Sequence, residues 1–505
     1  MRRGMAAVIG AMMMGSLAAA QPAPRRDEFF WLGEINKAST VINSEEGLLD
    51  PALAPRIAAG LDAVLRAGAQ PGGQRPNLVI TFEPLLIEAA GVEATLIHAG
   101  RSSQDMLATV RAAMLRDGLL RLAEQLRRTT ATMLRVAERH AATPVPNYTN
   151  GVAAQPNSYG HYLLGHIAGL DRDAQRLREA YARLDLSPMG TTVLNGTSWP
   201  LNRDRMARYL GFPDKVDNAY DAAQIAATDL PVEIGAVATG IALHAGAYLV
   251  DVMTQYAQPR PWILLEEGGG NTYVSSAMPQ KRNPGLLNDA RRQASTVVTL
   301  GMGRALQAHN IPPGMNDPKV TADNMALIAA SVNLLERWDR ILHALVLNPE
   351  RALEELNSDW TASQEVADVL MRRYRLPFRV GHHFASEVVD YAKAHDIRPA
   401  DFPYAEARRI YAETLREMRQ PEGELPLTEA EFRAVLDPAA IIRDRATSGG
   451  PQPAEMARML RGAGERLAAQ EGWIGEHRAR IDGALAALDG DFGRILARAT
   501  PAERR

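Results

Sequence analysis

The stretch Asp105–His140, DMLATVRAAMLRDGLLRLAEQLRRTTATMLRVAERH, decides the fold. Leu115, Leu119, Leu122, Leu126, Met133 and Ala137 recur at spacings of three, four or seven, with Arg and Glu between them. That period, held over about ten turns, predicts one very long amphipathic helix. Similar patterns run through Ala222–Met253, Leu286–Leu306 and Met325–Leu347. The first of these three is small or aliphatic on nearly every face, as expected of a helix buried at the centre of a bundle. Long antiparallel helices joined by loops define an all-α bundle, and the abundance of small residues predicts close packing of helices from several subunits.

Working outward, an apolar-periodic region from Phe29 to about Leu65 precedes the bundle, punctuated by Gly72-Gly73 and Pro76. Beyond about Arg372 the helical patterns shorten, and Pro377, Pro399, Pro403, Pro421 and Pro426 break them. The expected organisation is a leader at 1–20, an N-terminal helical domain at 21–103, a central long-helix bundle at 104–372 and a smaller helical domain at 373–505.

The leader has a basic start at Arg2 and Arg3, an apolar run from Gly4 to Leu17, and small residues Ala18-Ala19-Ala20 before Gln21. This is the layout of a secretory signal peptide cut after Ala20, and it predicts a periplasmic or secreted protein. An uncleaved anchor or a misplaced start is the competing reading. No later segment reads as a membrane span, so stable membrane insertion is not expected. The 505 residues carry a net charge of −3, which gives no reason to expect nucleic acid as a partner. Cysteine is absent, excluding disulfides, thiolate catalysis and Cys-ligated zinc.

The chemistry concentrates in Ser275-Ser276-Ala277-Met278-Pro279-Gln280-Lys281-Arg282-Asn283-Pro284, preceded by Gly268, Gly269 and Gly270 and followed by a helical pattern. Asn283 is a suitable N-cap and Pro284 suits a first helical turn. A loop tied to a helix N-terminus favours anions, Lys281 adds positive charge, and the glycines let the loop close on a ligand. A serine held there can act as a base. Residue by residue, a polar capping loop with an incidental lysine explains the stretch better.

As a ten-residue string it resembles the signature of the fumarase/aspartase superfamily, and its Met-Pro-Gln-Lys core resembles the argininosuccinate lyase branch. Other segments fit in chain order. Leu96-Ile97-His98-Ala99-Gly100-Arg101-Ser102-Ser103-Gln104-Asp105 resembles the first superfamily motif. Tyr148-Thr149-Asn150-Gly151-Val152-Ala153-Ala154-Gln155-Pro156, with Gly160-His161-Tyr162, resembles the second. Glu34-Ile35-Asn36-Lys37-Ala38-Ser39 resembles the substrate-contacting N-terminal helix. Gly314-Met315-Asn316-Asp317-Pro318-Lys319 falls where this branch holds the aspartate part of its substrate.

The resemblance implies a homotetramer around a twenty-helix core, with composite active sites built from three subunits. It implies Ser275 as the base that takes a proton beside a carboxylate, with Lys281 and Asn283 stabilising the resulting aci-carboxylate. It assigns Asn36, His98, Ser102, Ser103, Gln104, Thr149, Asn150, Gln155, Ser276, Met278, Asn316 and Lys319 to binding a small carboxylate substrate. No metal or organic cofactor is implied. His98 divides evenly between substrate contact and packing, His161 leans to packing, and Arg101 either binds a carboxylate or pairs with an acid.

The chain departs from argininosuccinate lyase at three places. Ser103 replaces an Arg, removing a bidentate carboxylate clamp. Asn150 replaces a His associated with proton transfer, and Asn cannot shuttle a proton. Val274 replaces a Gly before the paired serines. The expected function is therefore β-elimination of an amine from an N-substituted aspartate or related aminocarboxylate, leaving fumarate. Two alternatives remain, a carboxymuconate-type cycloisomerase, suggested by Ser103-Gln104-Asp105, and a catalytically idle carboxylate-binding member.

Overall fold

The computed structural model describes residues 25–503. The expected leader and its cleavage site lie outside the described residues. Three helices come first, α1 (Glu28–Glu45), α2 (Ala54–Ala69) and α3 (Val79–Ala90). The bundle follows with α4 (Ser103–Arg139), α5 (Tyr159–Leu184), the short α6 (Arg203–Tyr209), α7 (Ala226–Tyr256), α8 (Gly285–Ala308) and α9 (Thr321–Ala344). Then come α10 (Pro349–Ser358), α11 (Ser363–Tyr374), α12 (Phe378–Ala394), α13 (Tyr404–Glu417), α14 (Glu429–Val435), α15 (Pro438–Asp444) and the long α16 (Pro453–Leu496). Strands among the described residues form only two-stranded pairs: β1 (Pro144–Thr149) with β2 (Val152–Ser158), β3 (Leu186–Ser187) with β4 (Asp214–Lys215), β5 (Ile263–Leu265) with β8 (Leu345–Leu347), and β6 (Tyr273–Val274) with β7 (Arg282–Asn283).

The fold is all-α, as the periodicity predicts. The long helix read from Asp105 runs from Ser103 to Arg139, and its predicted apolar positions Leu115, Leu119, Leu122, Leu126, Met133 and Ala137 are all buried. The fourth pattern ends earlier than expected. Leu345–Leu347 leaves α9 as β8, because its backbone pairs with β5. Helices α7 and α8 approach closely where glycine faces glycine: a Cβ on Gly301 would lie 2.6 Å from the Gly235 carbonyl oxygen.

Two hydrophobic cores are separate. The first joins the N-terminal helices, the bundle and α16; the second runs from Trp360 to Ile441. The boundary expected at 372 thus falls within α11, and α16 returns to the first core. Buried Arg116 on α4 helps hold that core together. It donates to the Leu210 carbonyl at 2.9 Å, pairs with Asp185 and lies against the rings of Trp31 and Phe212.

One expectation is corrected. The helical segment Asp221–Tyr256, which contains α7, is long and apolar enough by length and composition to cross a membrane, and its most apolar window is 44 % buried within the chain. Leu243 and Val250 on α7 are 61 % and 55 % exposed.

At the far end of α4 an aromatic cluster joins α5, α7 and the strand region. His166 stands edge-on to Tyr162 and Tyr248, with ring centroids 4.8 and 5.3 Å away. Burial, opposed by Asp251 and reinforced by His244, pulls the His166 pKa down to about 4. The unfolded chain takes up a proton near pH 6.5 that the folded chain resists until about 4. This residue's contribution is therefore fully present above about 6.5 and lost as pH falls towards 4, by at most about 3 kcal/mol. Thermal unfolding of His166→Phe should show a shallower loss of stability over that pH range, and an unchanged acid limb would contradict the assignment.

Candidate functional site

Ser102 caps α4, its Oγ accepting from the Gln104 N–H at 3.3 Å. Asp105 closes the capping box and does more. Its Oδ1 accepts from the N–H of Ser102, and its Oδ2 accepts from Gly190 at 3.0 Å and Thr192 at 3.1 Å. Asp105 therefore positions the 190–192 turn against the first motif, and burial pushes its pKa up to about 6. Ser103 and Gln104 are half-buried in the first turn. Arg101 is half-buried beside them and donates to Ser39 Oγ at 2.9 Å; the Asp105 and Glu83 carboxylates act on its charge without a direct ion pair among the described residues. His98 lies near Glu83 at 3.6 Å, and burial with the nearby Arg101 charge lowers its pKa. Asn36 is buried in α1, donating to the Leu32 carbonyl at 2.9 Å, and shares a small cavity with Arg101 and Glu83.

Asn316 and Lys319 lie along the first third of α4. The Asn316 side chain accepts from Arg111 at 3.5 Å. Lys319 turns inward to Gln224 Oε1 at 3.1 Å, and burial with the Arg111 charge lowers its pKa. The π-helical turn Asp221–Ile225 supplies Gln224, a partner the sequence reading did not identify. The Gln224 oxygen also accepts from the Gly314 N–H at 2.8 Å, fixing the 314–319 segment.

The second motif is a β-hairpin. Thr149 pairs with Val152, and the two connecting residues Asn150 and Gly151 have φ of 54° and 78°. Positive φ at both positions is the two-residue turn that favours Asn-Gly. The residue read as a lost proton donor is thus first a turn former. Thr149 and Asn150 are exposed, whereas Gln155 bonds Gln364 at 2.6 Å and ties the hairpin to α11. His161 at the start of α5 reaches the Gly449 carbonyl at 2.8 Å, a structural contact.

The signature loop is shaped by Gly268, Gly269 and Gly270, all at positive φ, and closed where Tyr273 pairs with Asn283 and Val274 with Arg282. Asn283 is consequently a strand residue whose Nδ2 donates to the Tyr273 carbonyl at 3.4 Å; the expected N-cap position of α8 is taken by Pro284. The Leu286 N–H is occupied by the Asn271 carbonyl at 3.0 Å, so the chain itself meets part of the helix terminus. Ser275 is half-buried, and its Oγ accepts from the backbone N–H groups of Met278 at 3.1 Å and Ala277 at 3.3 Å. Two donors aimed at a serine oxygen stabilise its alkoxide, the form a base requires. Ser276, Met278 and Lys281 are exposed, and Lys281 pairs with no carboxylate among the described residues. Among those residues no three His, Asp or Glu side chains gather as metal ligands would.

These groups fall at two ends of the bundle. The first motif opens α4 and the hairpin follows its close, so 37 helical residues separate them by about 55 Å. The signature loop belongs to the hairpin end, where Tyr256 Oη donates to the Arg282 carbonyl at 3.4 Å.

Comparison with known proteins agrees with this architecture. A family model described as lyase matches residues 79–299, and one described as argininosuccinate lyase C-terminal matches 360–443, nearly the span of the second core. The argininosuccinate lyase of Methanoculleus marisnigri is 30 % identical over 80 % of both chains. Argininosuccinate lyase 2 of Agrobacterium fabrum is 30 % identical over 88 % of this chain and 86 % of its own. A structure of an EDDS lyase variant with bound fumarate superposes with a TM-score of 0.83 at 25 % identity, covering 95 % of this chain and 93 % of that one. Fold and matches together define a helical lyase. The chain belongs to the fumarase/aspartase superfamily, in its argininosuccinate lyase-like branch.

The hairpin reading has a direct consequence. Asn150→Val should lower stability by about 1–2 kcal/mol, because a β-branched residue resists positive φ. Asn150→Gly should stay within about 0.5 kcal/mol, as read by urea unfolding. Equal behaviour of the two variants would contradict the turn assignment.

Proposed function

We propose that the protein is a carbon–nitrogen lyase that eliminates an amine from an N-substituted aspartate or related aminocarboxylate, leaving fumarate. The observation that carries this reading is Ser275 Oγ held by the Ala277 and Met278 N–H groups within the signature loop. In the proposed reaction the Ser275 alkoxide takes the proton from the carbon beside a carboxylate. Negative charge then builds on that carboxylate, where Lys281 and Asn283 offset it. Collapse of the intermediate breaks the adjacent C–N bond and expels the amine. Ser102, Ser103, Gln104, Thr149, Asn316 and Lys319 are proposed to hold the substrate carboxylates. Family membership supports this reading, as do relatives named argininosuccinate lyase and a neighbour with bound fumarate. Retention of Ser275, Lys281 and Asn283 together favours it over an idle carboxylate binder.

The proposed site draws on more than one chain. With the motifs about 55 Å apart along α4, one copy cannot bring them to one substrate. We propose a homotetramer in which α4, α5, α7, α8 and α9 of four copies form a twenty-helix core and cover the exposed Leu243 and Val250. Export to the periplasm or outside the cell, from the leader at 1–20, completes the proposal.

Fumarate release from a panel of N-substituted aspartates, argininosuccinate included, tests the chemistry. Ser275→Ala should reduce turnover of an active member by about 10²–10⁴-fold with its fold intact. Undiminished turnover in that variant would remove Ser275 from the reaction.

A further inference from the structure

A cavity of about 130 Å³ opens beside the C-terminal end of α7 and under the β1–β2 hairpin, and no residue of the signature loop lines it. Its walls are the rings of Tyr148, Tyr159, Tyr162 and Trp262, and its polar groups include Asp251 and Gln255. Tyr159 stacks on Tyr162 with centroids 5.7 Å apart and meets Trp262 edge-on at 6.0 Å. Tyr162 Oη donates to Asp251 Oδ2 at 2.8 Å, and no Lys, Arg or His pairs with Asp251 among the described residues. Gln255 is 5 % exposed, yet its Oε1 accepts no hydrogen bond. Buried acceptors are mostly satisfied in folded proteins, so Gln255 Oε1 is open to a donor entering the cavity.

We infer that this aromatic cavity is a binding site for a small organic ammonium ion. Such an ion supplies what the site lacks: N–H donors for Gln255 Oε1 and Asp251, and positive charge for the faces of the tyrosine and indole rings. The volume is that of about four waters at roughly 30 Å³ each, which suits an alkylammonium of a few heavy atoms. Anions are disfavoured by Asp251, and a hard metal ion would find few oxygen ligands among the aromatic walls. Tyr148 links the cavity to the second motif. It accepts from Trp262 Nε1 at 3.2 Å, donates to Glu355, and directly precedes Thr149 and Asn150 in the chain. An amine is also what the proposed elimination releases; that identification of the ion as a product rests on the lyase reading, whereas the binding itself does not.

Calorimetric titration of the assembled full chain with ethylammonium chloride, against sodium chloride at equal ionic strength, tests the inference. Saturable binding of one ion per chain is expected, with a matching change in Trp262 fluorescence that disappears in Trp262→Phe. Asp251→Asn should weaken binding at least tenfold and Gln255→Met at least threefold. Asp251 is exposed, so the fold of its variant can be checked independently by circular dichroism. Ethanol, a neutral analogue, should not compete. Ser275→Ala should bind ethylammonium unchanged, which separates failure of this site from failure of the lyase reading. A response no different from sodium chloride would overturn the inference, as when a side chain from another copy fills the cavity. Affinity unaltered in Asp251→Asn would overturn it equally.

Discussion

An α-helix rises 1.5 Å per residue, and α4 sustains that rise from Ser103 to Arg139 without a proline. Its buried face packs on α5, α9 and α16, so it acts as a rigid spacer. Everything distinctive about the site follows from this spacing. The first motif, Asn316 and Lys319 belong to one end; the Asn150 hairpin and the signature loop belong to the other. A reaction that needs both sets must draw them from different copies. The apolar segment around α7 has the same logic: composition that would suit a membrane leaves Leu243 and Val250 exposed in one chain, where a helix of another copy can cover them.

Local chemistry then fixes each functional segment. Asp105 binds four backbone N–H groups, those of Ser102, Met106, Gly190 and Thr192, and so joins the start of α4 to a distant turn. Lys319 is held by Gln224 in a π-helical turn, an irregularity of the kind that often accompanies function. The signature loop is held by three glycines and a short strand pair, leaving Ser275 facing two N–H donors with Lys281 nearby in the chain. The bundle supplies rigidity, and the loops carry the candidate reacting groups.

The helices were legible because their apolar periodicity is long, and the family was legible because the ten-residue signature survives nearly whole. What escaped sequence reading was short or non-local. The β1–β2 hairpin carries its signal in Asn150-Gly151, which the comparison with a missing histidine obscured. The β6–β7 pairing displaced Asn283 from the cap position, since two-residue strands have no period to detect. The return of α16 to the first core depends on contacts across the whole chain, which local pattern does not encode. The cavity around Gln255 joins residues from β1, α5, α7 and the start of β5, and none of them stands out alone.

In the proposed assembly, Ser275 of one copy works with the first-motif end of another. Two variants, Ser275→Ala and Lys319→Ala, should each lose fumarate release with a substrate the native protein turns over. The direct measurement is activity after the two are co-assembled into mixed oligomers. The account predicts recovery of a clear fraction of native activity, because some sites then combine an intact serine with an intact lysine. Activity no higher than that of the separate variants, in oligomers shown to be mixed, would contradict it.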